Sequence, residues 1–167
     1  PHADIDHHVL RINSGDRVAV IAELAKPGGR TVVFTRTRHG ATKLAEQLNK
    51  AGIPAVDLHG MLSQSARARN LDKFSNGRST TLVATDVAAR GIHVDDVGLV
   101  IHADPPAEHK AYLHRSGRTA RAGAKGTVVT LATGAQVRAV RQLTTKAKIK
   151  PTESTVQPGH VLLATLA

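Results

Sequence analysis

Residues 31–59 read TVVFTRTRHGATKLAEQLNKAGIPAVDLH, and this stretch decides the fold. Thr31-Val32-Val33-Phe34-Thr35 is a short β-branched, apolar run, the signature of a buried strand. From Thr37 to Ala51 the apolar residues Ala41, Leu44, Ala45 and Leu48 recur at i, i+3, i+4 and i+7, which makes one face of a helix. Gly52 marks its stop. Ala55-Val56-Asp57-Leu58-His59 then reads as a second strand. Two strands joined through a helix pair in parallel, because the crossover returns the chain to the same end of the sheet.

The same rhythm runs outward in both directions. Asp16 to Ala25 reads as a helix ending at Pro27-Gly28-Gly29. After residue 59, Ser63 to Phe74 reads as a helix with Ser63 as its N-cap. Thr81–Thr85 and Val97–His102 read as strands, Ala107 to Ser116 as a helix, Thr127–Leu131 as a strand and Ala135 to Lys146 as a last helix. This alternation predicts an α/β fold: a central parallel sheet of about five to six strands with helices on both faces. Ligands of such sheets lie at the carboxyl ends of the strands, which places Thr35, His59, Thr85 and His102 on the functional edge. Residues 1–150 form the expected domain. Residues 151–167 are the expected tail, with Pro151–Thr155 as a loop and Val161 to Leu166 as an apolar stretch that either docks or stays free.

Composition narrows the function. The 167 residues carry 23 Lys and Arg against 13 Asp and Glu, a net charge of +10. Between His109 and Thr152 there is no acidic residue, while Lys110, Arg115, Arg118, Arg121, Lys125, Arg138, Arg141, Lys146, Lys148 and Lys150 all fall there. A basic block of this kind suits a polyanionic partner or forms a solvated helix face. The aromatics are Phe34, Phe74 and Tyr112 alone, too few for a platform that holds nucleic acid by stacking bases. Nucleic acid, if bound, is therefore held through its backbone. Without cysteine, disulfides and thiolate chemistry are excluded, which is compatible with a reducing cytoplasm. No run of about 18 apolar residues predicts a membrane span. No Walker A loop, G-x-G-x-x-G turn, G-x-S-x-G elbow or H-E-x-x-H pair occurs. The ten histidines lack metal-ligand spacing, so no metal site is expected.

The segment 112–123, YLHRSGRTARAG, is the most informative for chemistry. Arg118 and Arg121 are three apart, so on a helical turn they point the same way. Two guanidinium forks aimed together suit a phosphate group. This segment resembles motif VI of DEAD-box RNA helicases, H-R-x-G-R-x-x-R. Thr85-Asp86-Val87-Ala88-Ala89-Arg90-Gly91-Ile92 resembles their motif V, and Val33-Phe34-Thr35-Arg36-Thr37 their motif IV. The stretch from His59 to Arg67 resembles the family's H-G-x-x-x-Q-x-x-R element. All four stand in the family's order and spacing.

The resemblance implies the second, C-terminal RecA-like domain of an ATP-dependent RNA helicase, a P-loop NTPase-type fold. The Q motif, Walker A loop and D-E-A-D box would lie in a separate N-terminal RecA-like domain, which would bind most of the ATP and Mg2+. By similarity, Arg118 and Arg121 are arginine fingers for the γ-phosphate and His114 links motif VI to the first domain, giving a catalytic set of Arg118, Arg121 and His114. Gly91 and His93 join the two arginines at the nucleotide, and Gln64, Arg67, Thr85 and Gly91 contact RNA. Arg115 supports the segment, Asp86 caps a helix beginning at Val87, and Phe34 is core. One departure stands out: the family's R-G-x-D reads Arg90-Gly91-Ile92-His93 here, replacing an anion near the ribose. The implied whole is a cytoplasmic ATP hydrolase that remodels short RNA duplexes with little sequence preference. The isolated domain is expected to be monomeric and inactive alone. The alternative is a non-catalytic RNA-binding or protein-docking module on the same fold.

Overall fold

Four-residue strands without an exposed side chain form the middle of the sheet. In the computed structural model, which describes residues 4–26, 28–86, 97–119 and 125–167, β2 (Thr31–Phe34), β4 (Thr81–Ala84) and β5 (Leu99–His102) are buried at every position. Such continuous burial requires cover on both faces. The remaining strands are β1 (Ile5–Arg11), β3 (Ala55–Leu58), β6 (Gly126–Ala132) and β7 (Thr152–Thr155). The order is β3-β4-β2-β5-β6-β1-β7, and every neighbouring pair is parallel. The sheet therefore has seven strands, not five to six.

Two strands escaped the sequence reading. In β1 the pair His7-His8 interrupts the apolar run, yet His7 behaves as a half-buried aromatic, its ring stacked 5.6 Å from that of Tyr112. In β7, expected as a loop, Thr152–Thr155 is a strand mostly exposed to solvent. It is an edge strand held by its ladder to β1, with His8 opposite Thr152 and Arg11 opposite Thr155. Little apolar surface is buried there, so no hydrophobic period announces it.

Helices cover both faces. One layer holds α1 (Arg17–Ala25), α2 (Arg38–Lys50) and α6 (Val161–Leu166). Val20, Ile21 and Leu24 of α1, the predicted quartet of α2, and Leu163 of α6 share one core with Leu10, Val33, Ile101 and Leu131 of the sheet. The opposite layer holds α3 (Gln64–Ser75), α4 (His109–Ser116) and α5 (Val137–Lys146). There Phe74, Tyr112 and Leu143 pack on Phe34, Leu58, Leu82 and Val100. Phe34 is core, at 1% exposure. Ser63 caps α3 as the sequence indicates, its hydroxyl accepting from the Ala66 N–H at 3.1 Å.

Helices α2 and α5 end by the same device with different residues. After α2, the Ile53 N–H reaches the Leu48 carbonyl, and Gly52 takes a φ of 87°. After α5, the Ile149 N–H reaches the Thr144 carbonyl, and Lys148 takes the left-handed position at φ 60°. A Cβ there costs about 1 kcal/mol that glycine avoids. Lys148→Gly is therefore expected to stabilise the chain by about that amount, read as a higher urea midpoint. An unchanged or lower midpoint refutes the strain.

Candidate functional site

The carboxyl ends of β3, β4, β2 and β5 lie side by side, which brings the 59–67 element, Thr85-Asp86, Thr35–Thr37 and Asp104 to one edge. Thr35 ends β2, its N–H bonded to the Ala84 carbonyl at 3.0 Å and its hydroxyl donating to the Thr37 carbonyl at 3.1 Å. Thr85 ends β4, its N–H donating to the Leu58 carbonyl at 3.3 Å. Gln64 is exposed in the first turn of α3, and Arg67 is half-buried one turn on. Asp104 follows β5 and joins two elements, accepting from Arg17 at 2.7 Å and from the Arg36 N–H at 2.9 Å. Neither Arg17 nor Asp104 was singled out by the sequence; an acid just past a strand end was the available signal.

His102 departs from expectation. It ends β5 with its side chain completely buried in the core; Thr35 and Thr85 are buried too, at 1% and 8% exposure. Its ring stacks 4.9 Å from Tyr112, at an interplanar angle of 11°. Its Nδ1 accepts from Arg115 at 3.1 Å, so the ring proton sits on Nε2.

Arg115 is the hinge of the site. It is 3% exposed, and its guanidinium grips the Asp86 carboxylate with two bonds, of 2.6 and 2.8 Å. The Asp104 carbonyl takes a third bond at 3.1 Å, and the Phe34 ring lies 5.1 Å beneath. Asp86 is thus held by the fork of Arg115; the helix expected to begin at Val87 lies outside the described residues. Of the two motif arginines among the described residues, Arg115 is built into the core. The chain turns at Gly117, where the Arg118 N–H donates to the Arg115 carbonyl at 3.2 Å and the Arg118 carbonyl accepts from Val97 at 3.3 Å. The Thr119 hydroxyl donates to the Val97 carbonyl. Arg118 is half-buried and His114 exposed. Arg121, Gly91 and His93 lie outside the described residues.

Charge and burial set the acid response. Burial, then the Arg115 charge, hold the His102 pKa well below the ordinary 6.5. Burial, then His8, lower that of His7, whose Nδ1 lies 2.6 Å from the Tyr112 hydroxyl. Burial pushes the Tyr112 phenol up. The unfolded chain protonates both histidines near 6.5, while the folded chain keeps them neutral to lower pH, so protons favour unfolding. Stability is expected to be complete above about pH 6.5 and to decline as pH falls below it. Urea midpoints taken between about pH 7.5 and about pH 5 check this; a flat profile contradicts it.

The basic block is partly neutralised. Arg141 of α5 grips Glu153 of β7 at 2.8 and 2.9 Å. Among the described residues no group of three His, Cys, Asp or Glu is placed to hold a metal ion.

A seven-stranded parallel sheet covered by helices on both faces in this way is a RecA-like domain. Residues 16–123 match the helicase conserved C-terminal domain. The rice (Oryza sativa subsp. japonica) DEAD-box ATP-dependent RNA helicase 53 is 47% identical over 68% of this chain and 19% of its own length. The ATP-dependent RNA helicase SrmB of Haemophilus influenzae is 45% identical over 77% of this chain and 28% of its own. The match thus spans from about a fifth to just over a quarter of the length of these curated relatives. In structure, Escherichia coli DEAD-box protein SrmB, solved bound to regulator of ribonuclease activity A, superposes with a TM-score of 0.86 at 32% identity, covering 96% of this chain and 97% of that one. A DEAD box protein from Methanococcus jannaschii gives 0.84 at 32% identity, covering 90% of this chain and 42% of that one. Saccharomyces cerevisiae Dbp5 bound to RNA and ADP BeF3 gives 0.83 at 29% identity, covering 92% and 42%. The chain belongs to the helicase conserved C-terminal domain family, in its DEAD-box branch.

Proposed function

We propose that this domain is one half of an ATP-dependent RNA helicase that remodels short RNA duplexes. A partner RecA-like domain holds the ATP and its Mg2+, and this domain supplies Arg118 and Arg121 to the transferring phosphoryl group. Charge spread over that group in the transition state calls for fixed counter-charges in a closed, dry site. A guanidinium delivered from a second domain meets that need only on closure, which couples turnover to domain approach. His114, exposed ahead of Arg118, meets the partner domain. Gln64, Arg67, Thr85 and Gly91 contact the RNA backbone, and Gly91 and His93 the nucleotide. Backbone contact predicts little sequence preference and strong salt dependence.

The observation that carries this reading is the Arg115–Asp86 grip. It ties the turn presenting Arg118 to the end of β4, so the element proposed for ATP and the element proposed for RNA move as one body. The test measures ATP hydrolysis by this 167-residue chain and by the intact protein, each with and without RNA. The chain alone is expected to be inactive, and the intact protein RNA-stimulated. Robust hydrolysis by the chain alone contradicts a shared active site.

A further inference from the structure

A second hydrogen-bonded cluster, outside the Arg115 network, joins α2, β3 and α3 around His59. The His59 ring, 7% exposed at the end of β3, accepts the Met61 N–H at Nδ1, 3.2 Å away. Nδ1 therefore carries no proton, and Nε2 does. Nε2 lies 2.8 Å from the Thr42 hydroxyl and 3.2 Å from Asp57 Oδ2. The Thr42 hydroxyl donates to the same Asp57 oxygen at 2.7 Å. Asn70 of α3 donates to the Asp57 carbonyl at 2.9 Å and to its other carboxylate oxygen at 3.3 Å.

Thr42, His59 and Asp57 have the composition of a nucleophile–base–acid set, but their polarity is reversed. A catalytic base needs a free lone pair toward the hydroxyl. Here Nε2 bears the proton and the Thr42 hydroxyl donates to Asp57. The cluster cannot activate Thr42; it fixes geometry.

We infer that His59 is a positioning residue for RNA binding, holding the 59–63 turn through its Nδ1 bond to Met61 and so fixing where α3 presents Gln64 and Arg67. The inference rests on the RNA-backbone reading of those two residues. Helix α3 is anchored at two points that lead to one cluster. Ahead of it, the turn is closed by His59 through the Met61 N–H and by the Leu62 N–H to the His59 carbonyl at 3.2 Å. Within it, Asn70, one turn beyond Arg67, is tied to Asp57. Without the Nδ1 acceptor the turn is free to shift, and with it the end of α3 that carries Gln64.

Two substitutions separate this role from filling space. In His59→Asn the side-chain oxygen stands where Nδ1 stood and still accepts from Met61. In His59→Gln the amide reaches the Nε2 position, near Thr42 and Asp57, and leaves the Met61 N–H without an acceptor. In the intact protein, His59→Gln is expected to raise the RNA concentration for half-maximal ATPase by about threefold to tenfold, the effect of one lost hydrogen bond. The rate at saturating RNA is expected to hold. His59→Asn is expected to restore the wild-type value. In this chain, hydrogen exchange of the Met61 amide is expected to quicken in His59→Gln and not in His59→Asn. Thr42→Val, which keeps volume and removes the bridging hydroxyl, is expected to shift half-saturation in the same direction by a smaller factor, and serves if His59→Gln fails to fold. Equal behaviour of the Asn and Gln variants overturns the inference, as does a fall in saturated rate without a shift in half-saturation. Arg67→Ala keeps the two readings apart. If it weakens RNA binding and His59→Gln does not, the positioning role alone fails; if it leaves RNA binding unchanged, the RNA reading of α3 fails and the inference with it.

Discussion

Arg118→Ala in the intact protein is expected to lower RNA-stimulated ATP turnover by about 10³–10⁵, with RNA binding largely kept. That range corresponds to about 4–7 kcal/mol of barrier. The size follows from where the charge acts. A guanidinium facing water contributes little because the dielectric screens it, whereas one enclosed between two domains meets the developing phosphoryl charge at low dielectric. Arg121→Ala is expected to behave alike, and the double substitution to cost little more than either single one, because groups acting as a unit are not additive. Arg118→Lys keeps the charge and loses the fork, so it is expected to recover only a small part of the rate. Single-turnover hydrolysis at saturating RNA, alongside RNA binding by anisotropy, separates chemistry from affinity. Turnover within a few-fold of wild type in Arg118→Ala removes the finger assignment.

How much of this was legible in the sequence depends on what each residue does. The centre of the sheet and the helix after β2 were plain because their side chains are buried, and burial writes a period into the sequence: Ala41, Leu44, Ala45 and Leu48 are all buried. β7 was not plain, because main-chain bonds hold it at the edge and any polar residue can make them. β1 was hidden by its histidine pair, of which His7 does the work of an apolar ring against Tyr112. At the site, the motifs place Arg118, Gln64 and Arg67, but three-dimensional partners are invisible to spacing. Asp86 and Arg115 stand 29 positions apart, and Arg17 and Asp104 are separated by 87. Arg115 and Arg118 are chemically equal in the sequence, yet one is buried in a carboxylate grip and the other is only half-buried. His102 ends a strand like Thr35 and Thr85, and the bulk of Tyr112 and Phe34 around it draws its ring into the core.

The grip between Arg115 and Asp86 carries the second large effect, and its two ends are not equivalent. The Arg115 side chain is 3% exposed, whereas that of Asp86 is 38% exposed. Removing the carboxylate strands a cation that water cannot reach, leaving the Asp104 carbonyl, the neutral His102 ring and the face of Phe34 as company. Removing the arginine frees a carboxylate that water can solvate. Asp86→Ala is therefore expected to cost about 3–5 kcal/mol, as an uncompensated buried charge does, or roughly 6–20 °C of melting temperature for a chain this long. Arg115→Met, similar in length and able to fill the slot over Phe34, is expected to cost clearly less. The combination Asp86→Ala with Arg115→Met is expected to be more stable than Asp86→Ala alone, since the second change removes the stranded charge. Urea melts of this chain measure all three. Activity should follow a different order. Both single variants cut the tie between β4 and the turn bearing Arg118, so both are expected to lower ATPase in the intact protein even where Arg115→Met keeps the fold. A stable Arg115→Met protein with full turnover would show that Arg118 is placed without the grip, and that the Arg115–Asp86 pair serves only to fill and neutralise the core.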